Sequence, residues 1–284
     1  MIKLSIITIN RNNAEGLKRT LDSVKAQTCQ EFEHIIIDGA STDDSVNIIE
    51  SYVRDVSRMK YDVLWMSEPD TGIYNAMNKG LKMVHGEYTL MLNSGDYLVD
   101  EHVIERIMPE LDGTDIIQGN NIEEKETSIF RDRGYGKSKI DLFDVLKGHF
   151  LHQASFCRRD LFERYGYFDE SYKSSGDTKF FMSCLGRHDA AFKYIDIDIT
   201  NYDLTGISAA QSEKWRKCRE EEYNRIIKEV FSKRIYSFMQ DNDKKVRLYN
   251  ELHTHKWIWF LVMAVAHLNN IFYRHSADAK IDYV

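Results

Sequence analysis

Four short polar stretches carry most of the chemistry that this 284-residue sequence offers. They are Thr8 with residues 10–12, residues 38–43, residues 68–72, and Asn93-Ser94-Gly95-Asp96, each directly after an apolar run. Their carboxylates, amides and hydroxyls are groups that hydrogen-bond a nucleobase and ribose and hold a hard cation through oxygen. A nucleoside diphosphate bound with Mg2+ or Mn2+ needs that equipment. The sequence has neither a G-x-G-x-x-G loop nor a G-x-x-x-x-G-K-[ST] loop, which removes the ordinary dehydrogenase and the ordinary kinase. Each polar residue also has a plainer use. Asn10 suits a turn, Asp38, Ser41 or Thr42 suits a helix cap, Asn78 suits an exposed helix position, and Asn-Ser-Gly-Asp favours an Asx-turn.

Such groups converge only if regular elements hold them. Residues 3–9 read as a buried strand, and Asn13 caps a helix with Leu17, Leu21 and Val24 at helical spacing. FEHIIID is a second strand ending at Asp38, and a helix with Val46, Ile49 and Val53 follows. A third strand at 61–66 precedes a helix with Ile73, Met77, Leu81 and Val84 on one face, and EYTLMLN is a fourth strand ending at Asn93. This repeated strand-then-helix order predicts an α/β fold, a mostly parallel, doubly wound sheet with helices on both faces and right-handed crossovers. Ligands of such sheets sit beyond the carboxyl ends of the strands, where the four polar stretches fall. Further on, strands are expected at 115–120, 153–157 and 192–199, with a polar hairpin or loop at 121–133. Helices are expected at 141–147, 177–185, 212–235 and 257–273.

Composition narrows the partners. With 43% hydrophobic residues the chain buries a sizeable core, which excludes a disordered or collagen-like chain. Residues 1–210 carry 24 Lys/Arg against 35 Asp/Glu, whereas residues 211–256 carry 12 against 8. An acidic body does not release phosphate counterions, so no nucleic-acid partner is expected. A phosphorylated small molecule fits if a metal ion brings positive charge. Cys29, Cys157, Cys184 and Cys218 stand apart with no C-x-x-C pair, against both a zinc site and a disulfide framework. The reading is a cytoplasmic protein whose start is a strand, not an export signal.

The segments SIITINRN, IIIDGASTDDS, SEPDTGIYNAMNKG and MLNSGD resemble, in this order and spacing, the donor half of family 2 glycosyltransferases of the GT-A fold. The resemblance spans roughly residues 1–210 and points to bacterial enzymes of polysaccharide assembly, including the colanic-acid type. It implies an inverting transfer of a sugar from a nucleoside diphosphate, UDP above all, to a saccharide or lipid-linked acceptor in capsule, exopolysaccharide or O-antigen synthesis. By the same resemblance Thr8, Asn10 and Asp38 hold base and ribose of the sugar nucleotide, Asp70, Gly72 and Asn78 close over it, and Arg11 belongs to the same nucleotide-sugar site. Asn93, Ser94 and Gly95 belong to the nucleotide-sugar site, Gly95 with room for the diphosphate to approach the backbone, and Asp96, the one acid kept where the family has a D-x-D or N-x-D-D motif, holds Mg2+ or Mn2+. FDESYKSSGDTKFF resembles the segment ending in the family's general base, which places that role on Asp177; an N-cap is its plainer use, and Asp169 and Glu170 rank lower. HFLHQASF resembles the acceptor side, with His152 and Gln153 as contacts, although a structural histidine is as natural. His149 and His152 lack the further ligands of a metal site. Asp203 and residues 206–208 resemble a loop after the catalytic segment.

The expected organisation is a catalytic domain at 1–210, with a nucleotide-sugar half at 1–97 and an acceptor half at 98–210, and a helical extension at 211–284. The twelve apolar residues 257–268 rise only about 18 Å as a helix, short of the roughly 30 Å of a bilayer core. They suit peripheral attachment to the inner face of the cell membrane, or packing onto the domain or a second copy of the chain. Two other classes stay open: a non-catalytic nucleotide-sugar-binding or scaffolding subunit, and, last, a nucleotidyltransferase, for which Arg11 alone supplies basic character after the first strand.

Overall fold

The structure is a computed structural model that describes residues 2–125, 128–204 and 212–232. The chain divides into two units, Met1–Val230 and Phe231–Val284. The architecture below is that of the first, and the apolar stretch 257–268 lies outside the described residues.

Strand β1 (Leu4–Asn10) and strand β2 (Phe32–Asp38) are buried along their whole length, which is why they read as continuous β-branched runs instead of alternating ones. They pair in parallel from Leu4↔Phe32 to Asn10↔Asp38. Strand β3 (Val63–Ser67) joins in parallel with Asp38↔Ser67, and β4 (Tyr88–Met91) adds to the other edge of β1. This register lines up Asn10, Asp38 and Ser67 at the carboxyl edge.

Helix α1 (Ala14–Lys25) turns Leu17, Leu21 and Val24 into one core with Leu4, Ile6 and Ile36, and helix α2 (Ser45–Val56) adds Ile49 and Val56. Helix α3 (Ile73–Leu81) covers the opposite face, its Gly80 so near that an added Cβ would stand 2.5 Å from Ile7. Asn13 caps α1 by accepting from the Gly16 N–H, as expected. The expected cap of α2 is corrected: Asp44 occupies the N-cap, and Ser41 instead donates to Asp38.

The second half is mixed. Strand order across the described sheet is β3-β2-β1-β4-β8-β6-β9-β5, with β7 outside β6. Strand β8 (Ser155–Arg158) runs antiparallel to β4 and to β6 (Ile116–Lys125), while β9 (Phe192–Asn201) is parallel to β6. Strand β5 (Tyr97–Leu98) closes the far edge against β9, and β7 (Ser128–Asp132) folds back on β6 as the expected polar hairpin. Helices α4 (Val103–Ile107), α5 (Leu142–Lys147) and α6 (Asp160–Tyr165) link these strands. Helix α7 (Gly176–Met182) follows a loop that α8 (Glu213–Val230) grips: Glu222 accepts from the Lys173, Ser174 and Ser175 N–H groups.

Candidate functional site

A cleft of about 560 Å3 opens at the carboxyl ends of β1 and β4. Of the expected residues, Asn10, Arg11, Asp70, Gly72, Asn93 and Ser94 line it, and Asp96, His152 and Gln153 complete its floor and far wall. Asn12, Asn13, Ile73, Ala76, Tyr202 and Asp203 line it too. Asn12 adopts a left-handed backbone (φ 49°), a conformation asparagine tolerates, so its type was a faint signal. Tyr202 carries no such signal in the sequence. A second cavity of about 490 Å3, lined by Asp100, Glu124, Asp196 and Asp198, lies away from these strand ends.

Five expected residues lie outside the lining, Asp177 among them, and the other four do so each for a physical reason. Thr8 is fully buried, and its hydroxyl pairs with His34 Nε2 at 3.0 Å in a buried network that continues to Tyr52 and Tyr61. Asp38 is fully buried and saturated. Its carboxylate accepts from Asn10 Nδ2 (2.9 Å), Ser41 Oγ (2.6 Å) and N–H (2.9 Å), and Ser67 Oγ (2.7 Å). Burial alone would raise its pKa, but these hydrogen bonds outweigh it and hold the group below the usual carboxylate range. Asn78 is neither exposed nor in the cleft: its amide joins Phe168 backbone N–H and C=O and the Glu170 carboxylate. Gly95 (φ 109°) is the fourth, and the room left by its missing Cβ is filled by Asp203, whose Oδ2 would stand 2.4 Å from one.

Arg11 and Asp70 face each other at 3.4 Å across the mouth, the arginine largely exposed. Gly39 lets Asp70 come close, since a Cβ there would stand 2.1 Å from Asp70 Oδ2. Deeper, Asp96 accepts from the Asp203 N–H at 2.8 Å. Burial strips its carboxylate of water and pushes its pKa up to about 7, against the opposing pull of the Asp203 N–H and the His152 charge. No cluster of three His, Cys, Asp or Glu side chains suited to a metal occurs among the described residues. The fit to Mg2+ or Mn2+ is therefore of another kind. Asp96 and Asp203 offer oxygen only, a nearby cation would relieve the desolvated Asp96 charge, and a diphosphate and water would supply the other donors.

Asp177 lies in the first turn of α7, not at its N-cap, which is Ser175. Tyr74 OH donates to Oδ1 at 2.9 Å and His152 Nδ1 to Oδ2 at 3.0 Å. Burial would raise the Asp177 pKa, yet the His152 hydrogen bond and charge, with Tyr74, bring it below the usual range. Burial would likewise lower that of His152, and the Asp177 partner raises it instead. Asp177 is outside the cleft lining; His152 is in it. The lower-ranked rivals are engaged elsewhere, Asp169 with Lys179 at 2.6 Å and Glu170 with Asn75 at 2.9 Å. His149 pairs with Asp132 at 2.8 Å, not with His152. Residues 206–208 lie outside the described residues.

The sequence model described as Glycosyl transferase family 2 matches residues 5–166. A PGL/p-HBAD biosynthesis glycosyltransferase of Mycobacterium tuberculosis is 29% identical over 206 residues, 71% of this chain and 77% of that protein. An uncharacterized glycosyltransferase of the same organism is 31% identical over 63% of this chain and 67% of its own length. Among solved structures, S. aureus TarS 1-349 in complex with UDP is similar with a TM-score of 0.59 and 20% identity, covering 80% of this chain and 70% of that one. The mannosyltransferase PcManGT from Pyrobaculum calidifontis, in complex with GDP-Man and Mn2+, has a TM-score of 0.59 and 14% identity over 79% of this chain and 63% of that one. These two likenesses concern the fold, which is GT-A.

Proposed function

The chain belongs to glycosyl transferase family 2, and from that premise we propose that it is an inverting transferase that moves one sugar from a UDP-linked donor to a saccharide or lipid-linked acceptor in cell-surface polysaccharide synthesis. The observation that carries the reading is the convergence in one cleft of Asn10 at the end of β1 with Arg11 after it, Asp70 after β3, Asn93, Ser94 and Asp96 after β4, and His152 before β8. A UDP complex of a structural neighbour supports the donor class, and a relative named for PGL/p-HBAD biosynthesis supports a biosynthetic transfer.

Asn10 carries a buried Oδ1 with no hydrogen-bond partner among the described residues, an acceptor proposed to meet the nucleoside. Arg11 is placed at the mouth to meet diphosphate oxygens, exchanging its long contact with Asp70. Asp38 acts from behind, fixing Asn10 and Ser41. Asp96, with Asp203, would hold Mg2+ or Mn2+, which when bound supplies Lewis acidity toward the leaving diphosphate. A single displacement needs one base, and Asp177 supplies the negative charge that draws the acceptor proton. Residues 257–268 are proposed to bring the enzyme to the cytoplasmic membrane surface, where a lipid-linked acceptor resides. No described helix is long and apolar enough to cross a membrane.

The test is a panel of UDP-, GDP- and dTDP-linked sugars, each with Mn2+ or Mg2+, read first by the unfolding midpoint and then by release of nucleoside diphosphate. Stabilisation and turnover with UDP-sugars are expected. Binding without turnover of any donor would turn the reading to a nucleotide-sugar-binding subunit.

A further inference from the structure

Resting on the glycosyl-transfer reading above, with Asp177 as its base, we infer that Tyr74 is the positioning residue that keeps this carboxylate aimed and ionised, and that Gly176 makes the room it needs. Tyr74 stands in the first turn of α3, between Ile73 and Ala76, which line the cleft, and is itself only 3% exposed. Its hydroxyl donates to Asp177 Oδ1 at 2.9 Å, a partner 103 residues further along the chain.

The contact is built from both sides. A Cβ at Gly176 would stand 2.8 Å from the Tyr74 ring, so any side chain there would push the ring off the start of α7. Phe168 packs on the same ring with centroids 5.8 Å apart. Two further side chains of α3 hold the same segment: Asn75 donates to Glu170 at 2.9 Å, and Asn78 to the Phe168 C=O at 2.8 Å. The helix that begins at the donor side of the cleft is thereby latched to the loop and turn that carry the base.

The kind of partner matters to a base. Burial would raise the pKa of Asp169, yet Lys179 at 2.6 Å draws it down to about 2, which leaves a carboxylate with little appetite for a proton. Asp177 has no such lysine or arginine partner among the described residues; it has a phenol on one oxygen and His152 on the other. Burial and the Asp177 charge push the Tyr74 pKa well above the usual phenol value, so the hydroxyl stays a donor at any working pH. Each carboxylate oxygen has a second lone pair, so both can still accept an acceptor hydroxyl with Tyr74 and His152 in place.

The acid side of the pH profile tests this. A hydrogen bond to the charged form lowers a carboxyl pKa, so losing the phenol hydroxyl raises that of Asp177, and activity then fails at a higher pH as the base becomes protonated. His152 and the Thr178 N–H, the other groups on this carboxylate, are the same in parent and variant. Full-length Tyr74→Phe, Gly176→Ala and Asp177→Asn are compared with the parent on whichever UDP-, GDP- or dTDP-linked sugar the parent turns over, as kcat and donor KM from about pH 5 to about pH 8.5, with thermal unfolding in parallel. Tyr74→Phe keeps the buried ring and is expected to lose about three- to thirtyfold in kcat near neutral pH, with donor KM within about twofold and the acid limb moved up by at least about half a pH unit. Gly176→Ala keeps the hydroxyl but crowds the ring, and is expected to move the limb the same way, which leaves a readout if Tyr74→Phe does not fold. An acid limb that stays at the parent's position in the variants that fold would overturn the positioning role and leave Asp177 as the base. Asp177→Asn as fast as the parent would remove the base itself, and the role of Tyr74 with it. A parent that turns over no donor would bring down the glycosyl-transfer reading and this inference together.

Discussion

Asn10 and Asp38 are paired residues at the ends of adjacent parallel strands, and Asn10 Nδ2 donates to Asp38 Oδ1 at 2.9 Å. Because Asp38 also holds the half-buried Ser41 and the exposed Ser67, Asp38→Ala leaves the buried Asn10 amide and the Ser41 donors unpaired at once. A loss of about 2–4 kcal/mol in denaturant unfolding is expected, since each abandoned group costs roughly 1–3 kcal/mol and neighbouring losses overlap. UDP affinity should fall with it. A variant as stable as the parent would show that the carboxylate is not the anchor of this edge.

His34 gives a pH signature. It is fully buried, and desolvation drives its pKa down to about 3, against 6.5 when exposed. The unfolded chain therefore binds a proton that the native state refuses, so this residue's contribution is complete above pH 6.5 and is lost as pH falls toward 3. The expected slope is about 1.4 kcal/mol per pH unit inside that window. His149 and His152, with raised values, work in the opposite direction. The measurement is thus the difference between parent and His34→Gln across pH 4.5–6.5, and a pH-independent difference would contradict it.

Glu222 on α8 ties the acceptor half together. Its carboxylate accepts three successive backbone N–H groups, from Lys173 to Ser175, immediately before the turn that presents Asp177. Glu222→Ala should cost about 2–3 kcal/mol and reduce kcat roughly tenfold with little change in donor KM, because the donor residues lie on other loops. An equal loss of donor affinity would mean the damage spreads beyond α7.

Truncation after residue 232 tests the membrane proposal. Full-length protein should sediment with phosphatidylglycerol vesicles and the truncated form should not, while both turn over a soluble donor. Equal sedimentation of the two would remove residues 257–268 from that role.

The donor half was legible because its signals are local: continuous β-branched runs mark fully buried strands, and the polar residues after them fall where a parallel sheet binds ligands. What the sequence concealed were side-chain directions and long-range partners. Thr8 sits two residues before Asn10, so a strand's alternation should place both on one face, yet Thr8 meets His34 inside the sheet while Asn10 reaches the open edge. Asn78 reads as a helix position, but its partners are ninety residues away at Phe168 and ninety-two away at Glu170. The antiparallel insertion of β8 likewise has no local marker, because strand direction is fixed by which edge remains unpaired. The same holds for α8, whose charged face reads as solvent-exposed while Glu222 closes on backbone N–H groups.

Asp96 should trade stability for function, which makes its substitution informative in two directions. Its folded pKa, raised to about 7 by burial, lies above the unfolded value of 3.8, so the native state holds a proton that the unfolded chain releases. Its contribution is complete below pH 3.8 and is lost as pH rises through 7. Above that the native protein carries a poorly solvated charge. Asp96→Asn keeps the shape and the acceptor for the Asp203 N–H while removing the charge. Without metal, the variant should stay close to the parent near pH 5, where the native carboxyl is protonated, and exceed it at pH 8 by about 1 kcal/mol or more. With Mn2+ and UDP the order should reverse: the parent's midpoint rises and the variant's does not, and turnover falls at least about 10²-fold. A variant that gained no stability at pH 8, or that kept the Mn2+-dependent rise, would show that Asp96 is not the strained carboxylate a divalent cation relieves.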